Sequence, residues 1–205
     1  MIAVVDYGAG NLFSVKNALT YIGAAHEITA DPARIAAADG VLLPGVGAFP
    51  DAMHRLWDAG LVEPLREAAA RRPFLGICLG MQLLFERGYE FAPCEGLGLL
   101  PGAVERLPEN GLKIPHMGWN ALDVRRPDCP LLRGVPDGSY VYFVHSYAAV
   151  CPADVVAAST PYGGDVTALV WRGNVFGTQF HPEKSAAHGL QMLRNFAALC
   201  GEGQA

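Results

Sequence analysis

Short apolar segments alternate with helical segments through the first half of the chain, and no other pattern in the sequence limits the fold so strongly. Leu12–Ile22 carries apolar residues at helical spacing and is followed by Gly23, a residue that commonly terminates helices. A helix between two fully apolar strands covers one face of a parallel sheet. We therefore predict strands at Ile2–Val5, Gly40–Leu43 and Phe74–Ile77, and helices at Leu12–Ile22, Phe49–Trp57 and Leu61–Ala70.

The second half of the chain has a different pattern, in which turns rather than helices separate most of the apolar segments. Strands are predicted there at Ala103–Leu107, Lys113–Val124, Tyr140–Val150, Val155–Ser159, Thr167–Arg172 and Asn174–Phe180. A helix over Ser185–Cys200 is expected to close the chain, with Ser185 as its N-cap. The predicted architecture is a three-layer α/β fold, with a central, mostly parallel sheet and an antiparallel or mixed extension in the second half.

Size and composition favour one compact globular domain over residues 1–205. Apolar residues make up 51% of the 205 residues and charged residues 17%, so the chain can bury a substantial core. The net charge of −5 argues against a nucleic-acid partner, which normally meets a basic surface. The N-terminus has no signal-peptide pattern, and no apolar segment is long enough to span a bilayer. We expect a soluble, cytoplasmic protein.

The chain has five cysteines, an odd number, and no pair has C-x-x-C spacing. A disulfide framework or a zinc site is therefore not expected, and no cluster has the spacing of metal ligands. Four of the cysteines are interpreted as small buried residues. Cys78 is the exception.

Cys78 lies between Gly76 and Gly80, after an apolar strand and before Met81–Arg87, which is predicted as helical. This is the G-x-nucleophile-x-G elbow, in which glycines allow a sharp turn and the nucleophile is exposed on a strained residue. The helix N-terminus favours the thiolate, and the backbone N–H of Leu79 can face the oxygen of an attacked carbonyl. Taken alone, a buried structural cysteine is the more common interpretation; the strand–elbow–helix context favours a nucleophile.

A thiol nucleophile needs a base that is itself held in place. His181 and Glu183 lie two residues apart near a predicted strand end, so both side chains project to the same side of an extended chain. Pro182 favours that extended geometry for His181. Glu183 can then hold one imidazole nitrogen while the other faces Cys78.

Asp6–Asn11 follows the first strand and partly matches the glycine fingerprint of dinucleotide-binding folds. The third glycine is missing, since Phe13 occupies its position. A nicotinamide or flavin cofactor is therefore the weaker interpretation of this loop.

Pro44–Phe49 is a second glycine-rich loop after a buried strand. A tight turn is the structural alternative. The functional interpretation is that the glycines let a backbone amide near Val46 supply the second donor to an oxyanion.

With these segments together, the chain resembles the class I (triad) glutamine amidotransferases from Met1 to about Cys200. The resemblance rests on Gly76-Ile-Cys-Leu-Gly-Met-Gln82, Phe180-His-Pro-Glu-Lys-Ser185 and Pro44-Gly-Val-Gly47. Asp6–Leu12, Pro44–Phe49, Pro115–Asn120 and Tyr142–Tyr147 make it similar to one branch of that family, the glutaminase subunits of imidazole glycerol phosphate synthases. Sibling families usually carry Pro-Gly-Pro-Gly where this chain has Pro44-Gly-Val-Gly47.

The resemblance implies a flavodoxin-like fold and a role for each matching residue. The triad is Cys78, His181 and Glu183, and the oxyanion hole is formed by Gly45, Val46, Gly47 and Leu79. The residues expected to bind glutamine are Gln82, Glu90, Ser146 and Tyr147. The backbone around Ser146 and Tyr147 is expected to hold the substrate α-carboxylate. The segment Lys113–Asn120 faces the partner, through Lys113, His116, Trp119 and Asn120. Neither a metal nor another cofactor is implied.

By the same resemblance, the chain hydrolyses glutamine to glutamate and ammonia within a heterodimer. The partner is a (β/α)₈ cyclase subunit, which uses the ammonia to form imidazole glycerol phosphate and aminoimidazole carboxamide ribonucleotide in histidine biosynthesis. Two alternatives stay open at this point. The chain could serve another ammonia-using synthase, such as anthranilate or aminodeoxychorismate synthase, or act as a non-catalytic cysteine sensor on a similar scaffold.

Overall fold

The computed structural model describes residues 1–202. Its strands are β1 (Ile2–Val5), β2 (His26–Thr29), β3 (Gly40–Gly45), β4 (Phe74–Cys78), β5 (Phe85–Gly88), β6 (Cys94–Glu95), β7 (Leu100–Arg106), β8 (His116–Ala121), β9 (Asp123–Val124), β10 (Tyr140–His145), β11 (Tyr147–Val150), β12 (Val156–Pro161), β13 (Asp165–Arg172) and β14 (Val175–Thr178). Its α-helices are α1 (Leu12–Tyr21), α2 (Pro32–Ala37), α3 (Phe49–Asp58), α4 (Val62–Arg71), α5 (Leu79–Gln82) and α6 (Ala186–Ala197). Short helical turns cover Pro130–Leu132 and Pro182–Lys184, and a π-helical segment, Ala198–Glu202, follows α6.

The central sheet has eight strands in the order β2-β1-β3-β4-β14-β13-β12-β9. Strands β2, β1, β3, β4 and β14 are parallel neighbours, whereas β13, β12 and β9 continue the sheet in antiparallel pairing. Two smaller sheets, β10-β8 and β11-β7-β5-β6, lie beside it. The prediction of a mostly parallel sheet with an antiparallel extension is confirmed.

Two apolar clusters lie on opposite faces of the central sheet. Strand β1 shows the alternation that builds them, since Ala3 and Val5 belong to one cluster and Ile2 and Val4 to the other. Helices α2, α3 and α4 cover the first cluster, and α1 and α6 cover the second. The three layers therefore follow from a sheet that is apolar on both faces.

The prediction of a helix over Met81–Arg87 is wrong. Helix α5 has only four residues, and the chain then enters strand β5. The backbone N–H of Leu97 binds the carbonyl of Leu83, and the N–H groups of Leu99 and Leu100 bind that of Leu84. Because these carbonyls are occupied by a distant segment, the helix cannot continue through them.

Two long segments predicted as single strands are each divided between two sheets. Lys113–Val124 contains β8, which pairs with β10, and β9, which joins the central sheet. Tyr140–Val150 is interrupted at Ser146, so that β10 pairs with β8 while β11 pairs with β7. Strand β2, helix α2 and strand β6 were not predicted, because they are short and lack a strong apolar pattern.

The predicted capping role of Ser185 is also wrong. Ser185 precedes α6, but its hydroxyl makes no capping hydrogen bond. It donates instead to the carbonyl of His181 at 2.6 Å and accepts from the N–H of Tyr142 at 3.0 Å. The serine thus ties strand β10 to the segment that carries His181.

The remaining cysteines are less uniform than predicted. Cys129 and Cys200 are buried, whereas Cys94 and Cys151 are half-buried. Within residues 1–202, no helix is both long and apolar enough to cross a membrane, and no three or more metal-ligating side chains form a cluster.

Candidate active site

The turn from β4 into α5 has the geometry predicted for a nucleophile elbow. Cys78 has φ of 54° and ψ of −111°, a left-handed conformation that is unfavourable for a residue with a side chain. A Cβ atom at Gly76 would overlap the backbone of Gly80, and one at Gly80 would overlap the carbonyl of Leu43. Glycine is therefore required on both sides of Cys78, because strands β3 and β4 and helix α5 approach closely.

His181 follows strand β14 and lies between Cys78 and Glu183. Its Nδ1 atom is 2.8 Å from Oε1 of Glu183, and both side chains are almost fully buried. Its backbone N–H binds the carbonyl of Tyr142 at 3.0 Å, which fixes the chain at this point. With Nδ1 held by Glu183, Nε2 is the nitrogen left to interact with the Cys78 thiol.

The charge state of His181 is set by these two neighbours. Burial by itself lowers the pKa of His181, but the hydrogen bonds to Cys78 and Glu183 outweigh it and raise the pKa to about 10. The imidazolium is therefore the stable form at neutral pH. A cation next to the sulfur favours the thiolate, the nucleophilic form of cysteine.

The predicted oxyanion segment lies directly beside the elbow. Gly45, the last residue of β3, pairs in register with Cys78, and a Cβ atom there would lie 2.7 Å from the backbone nitrogen of Gly80. Val46 and Gly47 then leave the sheet and line the same cavity as Cys78. Gly47 has φ of 104° and open space where a side chain would begin, so glycine is favoured here by the backbone conformation and not by close packing.

Gln82 and Glu90 both lie at the cavity, and each also has a structural contact. Gln82 is buried, and its Nε2 atom donates to the carbonyl of Tyr147 at 2.9 Å and to Oε1 of Gln179 at 3.0 Å. Glu90 Oε2 accepts a hydrogen bond from the N–H of Phe49 at 2.7 Å, at the start of α3. Gln82 is thus part of the cavity wall rather than an exposed helix residue.

The cavity has a volume of about 330 Å³, the size of a small-molecule site. It brings together most of the residues that the sequence assigned to the site: Val46, Gly47, Cys78, Leu79, Gln82, Glu90, Ser146, Tyr147 and His181. Glu183 lies behind His181, and Gly45 lies within the sheet, so neither Glu183 nor Gly45 lines the cavity. Pro115, Val144 and His145 complete the lining and were not assigned to the site.

Gln179 is a buried residue at this site that sequence reasoning missed. Its Nε2 atom lies 3.8 Å from Sγ of Cys78, and its Oε1 atom accepts from Gln82. The alternation of an extended chain was the available signal, since Gln179, His181 and Glu183 are successive residues on one side.

The predicted partner-facing residues differ in exposure. Lys113 is exposed, and the Trp119 side chain is 49% exposed. His116 is fully buried, so its prediction as a contact residue is corrected: it points inward and packs between Phe143 and Tyr162. Asn120 is half-buried and hydrogen-bonded to His116.

Comparison with known proteins agrees with this geometry. The family model for glutamine amidotransferase class-I matches residues 3–200. A solved structure of a glutamine amidotransferase superposes with a TM-score of 0.76 at 20% identity, covering 98% of this chain and 100% of the other. PurLQS from Thermotoga maritima gives a TM-score of 0.71 at 22% identity, covering 96% and 97%. These two likenesses concern the fold alone.

The chain therefore belongs to the class-I glutamine amidotransferases, enzymes that hydrolyse glutamine. A curated relative, imidazole glycerol phosphate synthase subunit HisH from Bacillus cereus (strain G9842), is 55% identical over 200 residues, which are 97% of this chain and 95% of the relative. Within the class, this chain belongs to the family of HisH subunits. The resemblance deduced from the sequence motifs is confirmed.

Proposed function

We propose that this chain is the glutaminase subunit of an imidazole glycerol phosphate synthase, and that it passes ammonia to a (β/α)₈ cyclase subunit in a heterodimer. The observation that carries the proposal is the arrangement of His181 at the elbow thiol, with Nδ1 held 2.8 Å from Glu183. This arrangement gives Cys78 both a thiolate-stabilising cation and a proton donor. Membership in the family of HisH subunits indicates the enzyme that uses the ammonia, imidazole glycerol phosphate synthase.

The reaction begins when the Cys78 thiolate attacks the carboxamide carbon of glutamine. Backbone N–H groups at Val46 and Leu79 stabilise the oxyanion, and the His181 imidazolium gives its proton to the departing nitrogen. Ammonia leaves, and a γ-glutamyl thioester remains on Cys78. Neutral His181 then takes a proton from water, which attacks the thioester, and glutamate leaves as the thiolate reforms. Glu183 orients the imidazole throughout.

Gln82, Glu90 and the backbone of Ser146 and Tyr147 hold the substrate in this mechanism. They line the cavity around Cys78. Ser146 connects strands β10 and β11, so the α-carboxylate of glutamine would meet backbone groups at the point where the chain changes sheets.

The β10-β8 sheet is the surface proposed for the cyclase. Its outward side chains include Met117 (61% exposed), Trp119 (49%) and Tyr140 (60%), and the exposed Lys113 precedes β8 in the chain. Exposed apolar residues of this size are typical of protein interfaces. Val144 and His145 on β10 also line the cavity, so one sheet borders both the reaction and the partner face. We place the complex in the cytoplasm, without nucleic-acid or membrane partners.

Replacing Cys78 with serine tests the proposal in the assembled synthase. We expect Cys78→Ser to abolish synthesis from glutamine, because the hydroxyl is a far weaker nucleophile, while synthesis from added ammonium salt stays near the wild-type rate. Cys94→Ser, at a half-buried cysteine outside the cavity, is the matched control and should retain both activities.

Two results would contradict the proposal. Glutamate release by the Cys78→Ser complex would exclude Cys78 as the nucleophile. Failure of the wild-type chain to form a complex with a cyclase, together with stable binding to a chorismate-using synthase, would assign the glutaminase to another pathway.

A further inference from the structure

Two buried imidazoles lie at the cavity wall, His145 in its lining and His116 behind His145, and the proposed mechanism uses neither of them. His145 ends strand β10 and His116 begins strand β8, and the two residues are paired in the register of that sheet. Nε2 of His145 lies 3.0 Å from Nδ1 of His116. His116 is fully buried and His145 is 6% exposed, so this contact is isolated from solvent.

Hydrogen bonds extend from this pair in both directions. At one end, Nδ1 of His145 lies 2.8 Å from the carbonyl oxygen of Tyr147, which also accepts from Gln82. At the other end, Nε2 of His116 lies 2.8 Å from Oδ1 of Asn120 on strand β8. A continuous chain of contacts therefore joins Asn120 to the cavity wall.

The Tyr147 carbonyl at one end fixes which atom donates and which accepts in each hydrogen bond of this chain. The backbone carbonyl oxygen of Tyr147 can only accept a hydrogen bond, so Nδ1 of His145 carries a proton. Burial lowers the pKa of His145 to about 4, and positive charge on His116 or His181 acts in the same direction. Burial also lowers the pKa of His116. Both imidazoles are thus neutral near pH 7, and Nδ1–H of His116 donates to Nε2 of His145.

The other end of the chain responds to this proton arrangement. In the neutral pair Nε2 of His116 has no proton, so it must accept from the amide N–H group of Asn120. An amide oxygen at that place, as in the structure, requires one more proton on the pair. The neutral pair near pH 7 therefore requires the Asn120 amide turned by 180°, with its N–H group toward Nε2 of His116.

Packing holds the His116 ring in the orientation that this chain needs. The ring stacks on Tyr162 at a centroid distance of 3.9 Å and on Phe143 at 4.8 Å, nearly parallel to both. Only the ring edges remain available, and the two nitrogens on those edges are both engaged. Since both nitrogens of His145 are engaged as well, neither imidazole is available to exchange a proton with substrate.

We propose that His145 and His116 are positioning residues, which hold the Tyr147 carbonyl and with it Gln82, and which make glutamine binding depend on Asn120 on strand β8. This inference rests on the proposed function, because it assigns Gln82 and Tyr147 to the glutamine site. It links that site to the face on which we place the cyclase. The contacts act on the wall that binds substrate, so their loss should appear in KM rather than in kcat.

The first experiment tests the hydrogen bond from Nδ1 of His145 in the assembled synthase, separately from the contact at Nε2. We expect His145→Leu to raise the KM for glutamine about tenfold, the effect of one lost buried hydrogen bond, with kcat changed less than about threefold. His145→Asn keeps a donor near the Nδ1 position and should recover most of the KM. His54→Leu, at an exposed histidine on α3, is the control. A parallel loss of kcat and melting temperature, without recovery by asparagine, would mean a structural role only.

A double-mutant cycle tests the link to strand β8. Asn120→Leu should raise the KM for glutamine at saturating cyclase, because His116 loses its partner. The double variant Asn120→Leu, His145→Leu should have the KM of His145→Leu alone, since both changes interrupt one chain. Independent, multiplicative effects on KM would overturn the dependence on Asn120, and so would an unchanged KM in Asn120→Leu.

Imidazole ¹⁵N spectra of the chain test the proton arrangement without any activity measurement. At pH 7 both His116 and His145 should carry a single proton, on Nδ1. In Asn120→Asp, whose carboxylate only accepts, His116 should carry protons on both nitrogens. A proton on Nε2 of neutral wild-type His116 would overturn the inference. If the wild-type synthase shows no glutaminase activity, the proposed function fails, and these spectra still decide the proton arrangement.

Discussion

At the scale of single residues, the site is governed by competition between burial and charge. The imidazole of His181 is almost fully buried, which disfavours its cation, yet Cys78 and Glu183 reverse that preference. In the proposed mechanism, the neighbour on one side is the nucleophile and the neighbour on the other orients the ring. The same contacts that fix the geometry therefore also keep His181 protonated, as the proposed proton transfer to the leaving ammonia requires.

The pH dependence of glutaminase activity follows from the raised pKa of His181. Because the folded-state pKa of about 10 lies above the ordinary histidine pKa of 6.5, the imidazolium persists through neutral pH and is lost as pH rises through about 10. Any stability from this charge is fully present below 6.5 and disappears over the same rise. We predict an alkaline limb near pH 10 in the kcat/KM profile.

Glu183→Gln should move that limb to lower pH, because one of the two contacts that raise the pKa is weakened. The glutamine oxygen can still accept from Nδ1, so the ring keeps its orientation, but kcat should fall about 10²-fold or more. Glu109→Gln, at an exposed carboxylate, is the matched control. An alkaline limb at the same pH in Glu183→Gln would exclude Glu183 as the source of the raised pKa.

At the scale of elements, the sequence predicts three strands of the first half, β1, β3 and β4, because their pattern is local. Strands β1, β3 and β4 are buried on both faces, so each is a continuous apolar run. The same reasoning fails at Tyr140–Val150, where only His145 and Ser146 interrupt the apolar run but the chain changes sheets at Ser146. Which strand pairs with which is decided by distant segments, and the residue pattern of one segment does not contain that information.

Residues of the candidate site also differ in whether their own sequence segment predicts them. Cys78, His181 and Glu183 could be predicted because each lies in a short motif with a chemical rationale. Gln179 could not be assigned a contact from its own segment, since it reaches Cys78 across 101 positions of sequence. His116 was predicted as a partner-facing residue because its burial depends on packing against Tyr162, in the turn between β12 and β13.

The proposed oxyanion segment, Gly45–Gly47, begins at the end of strand β3, where Gly45 pairs with Cys78 on β4. Pairing between β1 and β3 ends at Val4 and Leu42, three residues before β3 itself ends. Beyond the end of this pairing, the Tyr7 hydroxyl donates a hydrogen bond to the carbonyl of Pro44 at 3.0 Å. Burial, with the negative charge of Cys78, raises the pKa of Tyr7, so the hydroxyl keeps its proton and remains a donor.

We therefore predict that Tyr7→Phe lowers kcat for glutamine hydrolysis about tenfold and leaves KM nearly unchanged. Loss of this hydrogen bond frees the peptide before Gly45, and oxyanion donors act mainly in the transition state. Alkylation of Cys78 by iodoacetamide, which forms no oxyanion, should proceed at the wild-type rate. Tyr21→Phe, at a tyrosine 73% exposed on α1, is the control. A wild-type kcat in Tyr7→Phe would exclude the anchoring role.

At the scale of the whole molecule, strand β10 connects the proposed partner face to His181, the proposed base. The Tyr142 ring contacts Trp119 on that face, at a centroid distance of 6.0 Å. The backbone of Tyr142 accepts from the N–H of His181 and donates to the hydroxyl of Ser185. A partner seated on Trp119 would thus press on a strand that is bonded directly to the segment carrying the base.

Trp119 is the residue whose loss should weaken assembly most. Tryptophan is enriched among residues that dominate binding energy, so we expect Trp119→Ala to raise the Kd for the cyclase about 30-fold or more. The matched control is Trp57→Ala on α3, since Trp57 is 45% exposed and lies on an element outside the β10-β8 sheet. Titration by calorimetry measures both. Because the cavity is unchanged, synthesis from glutamine by Trp119→Ala should recover as the cyclase concentration is raised. Equal Kd values for the two variants would place the cyclase on another face.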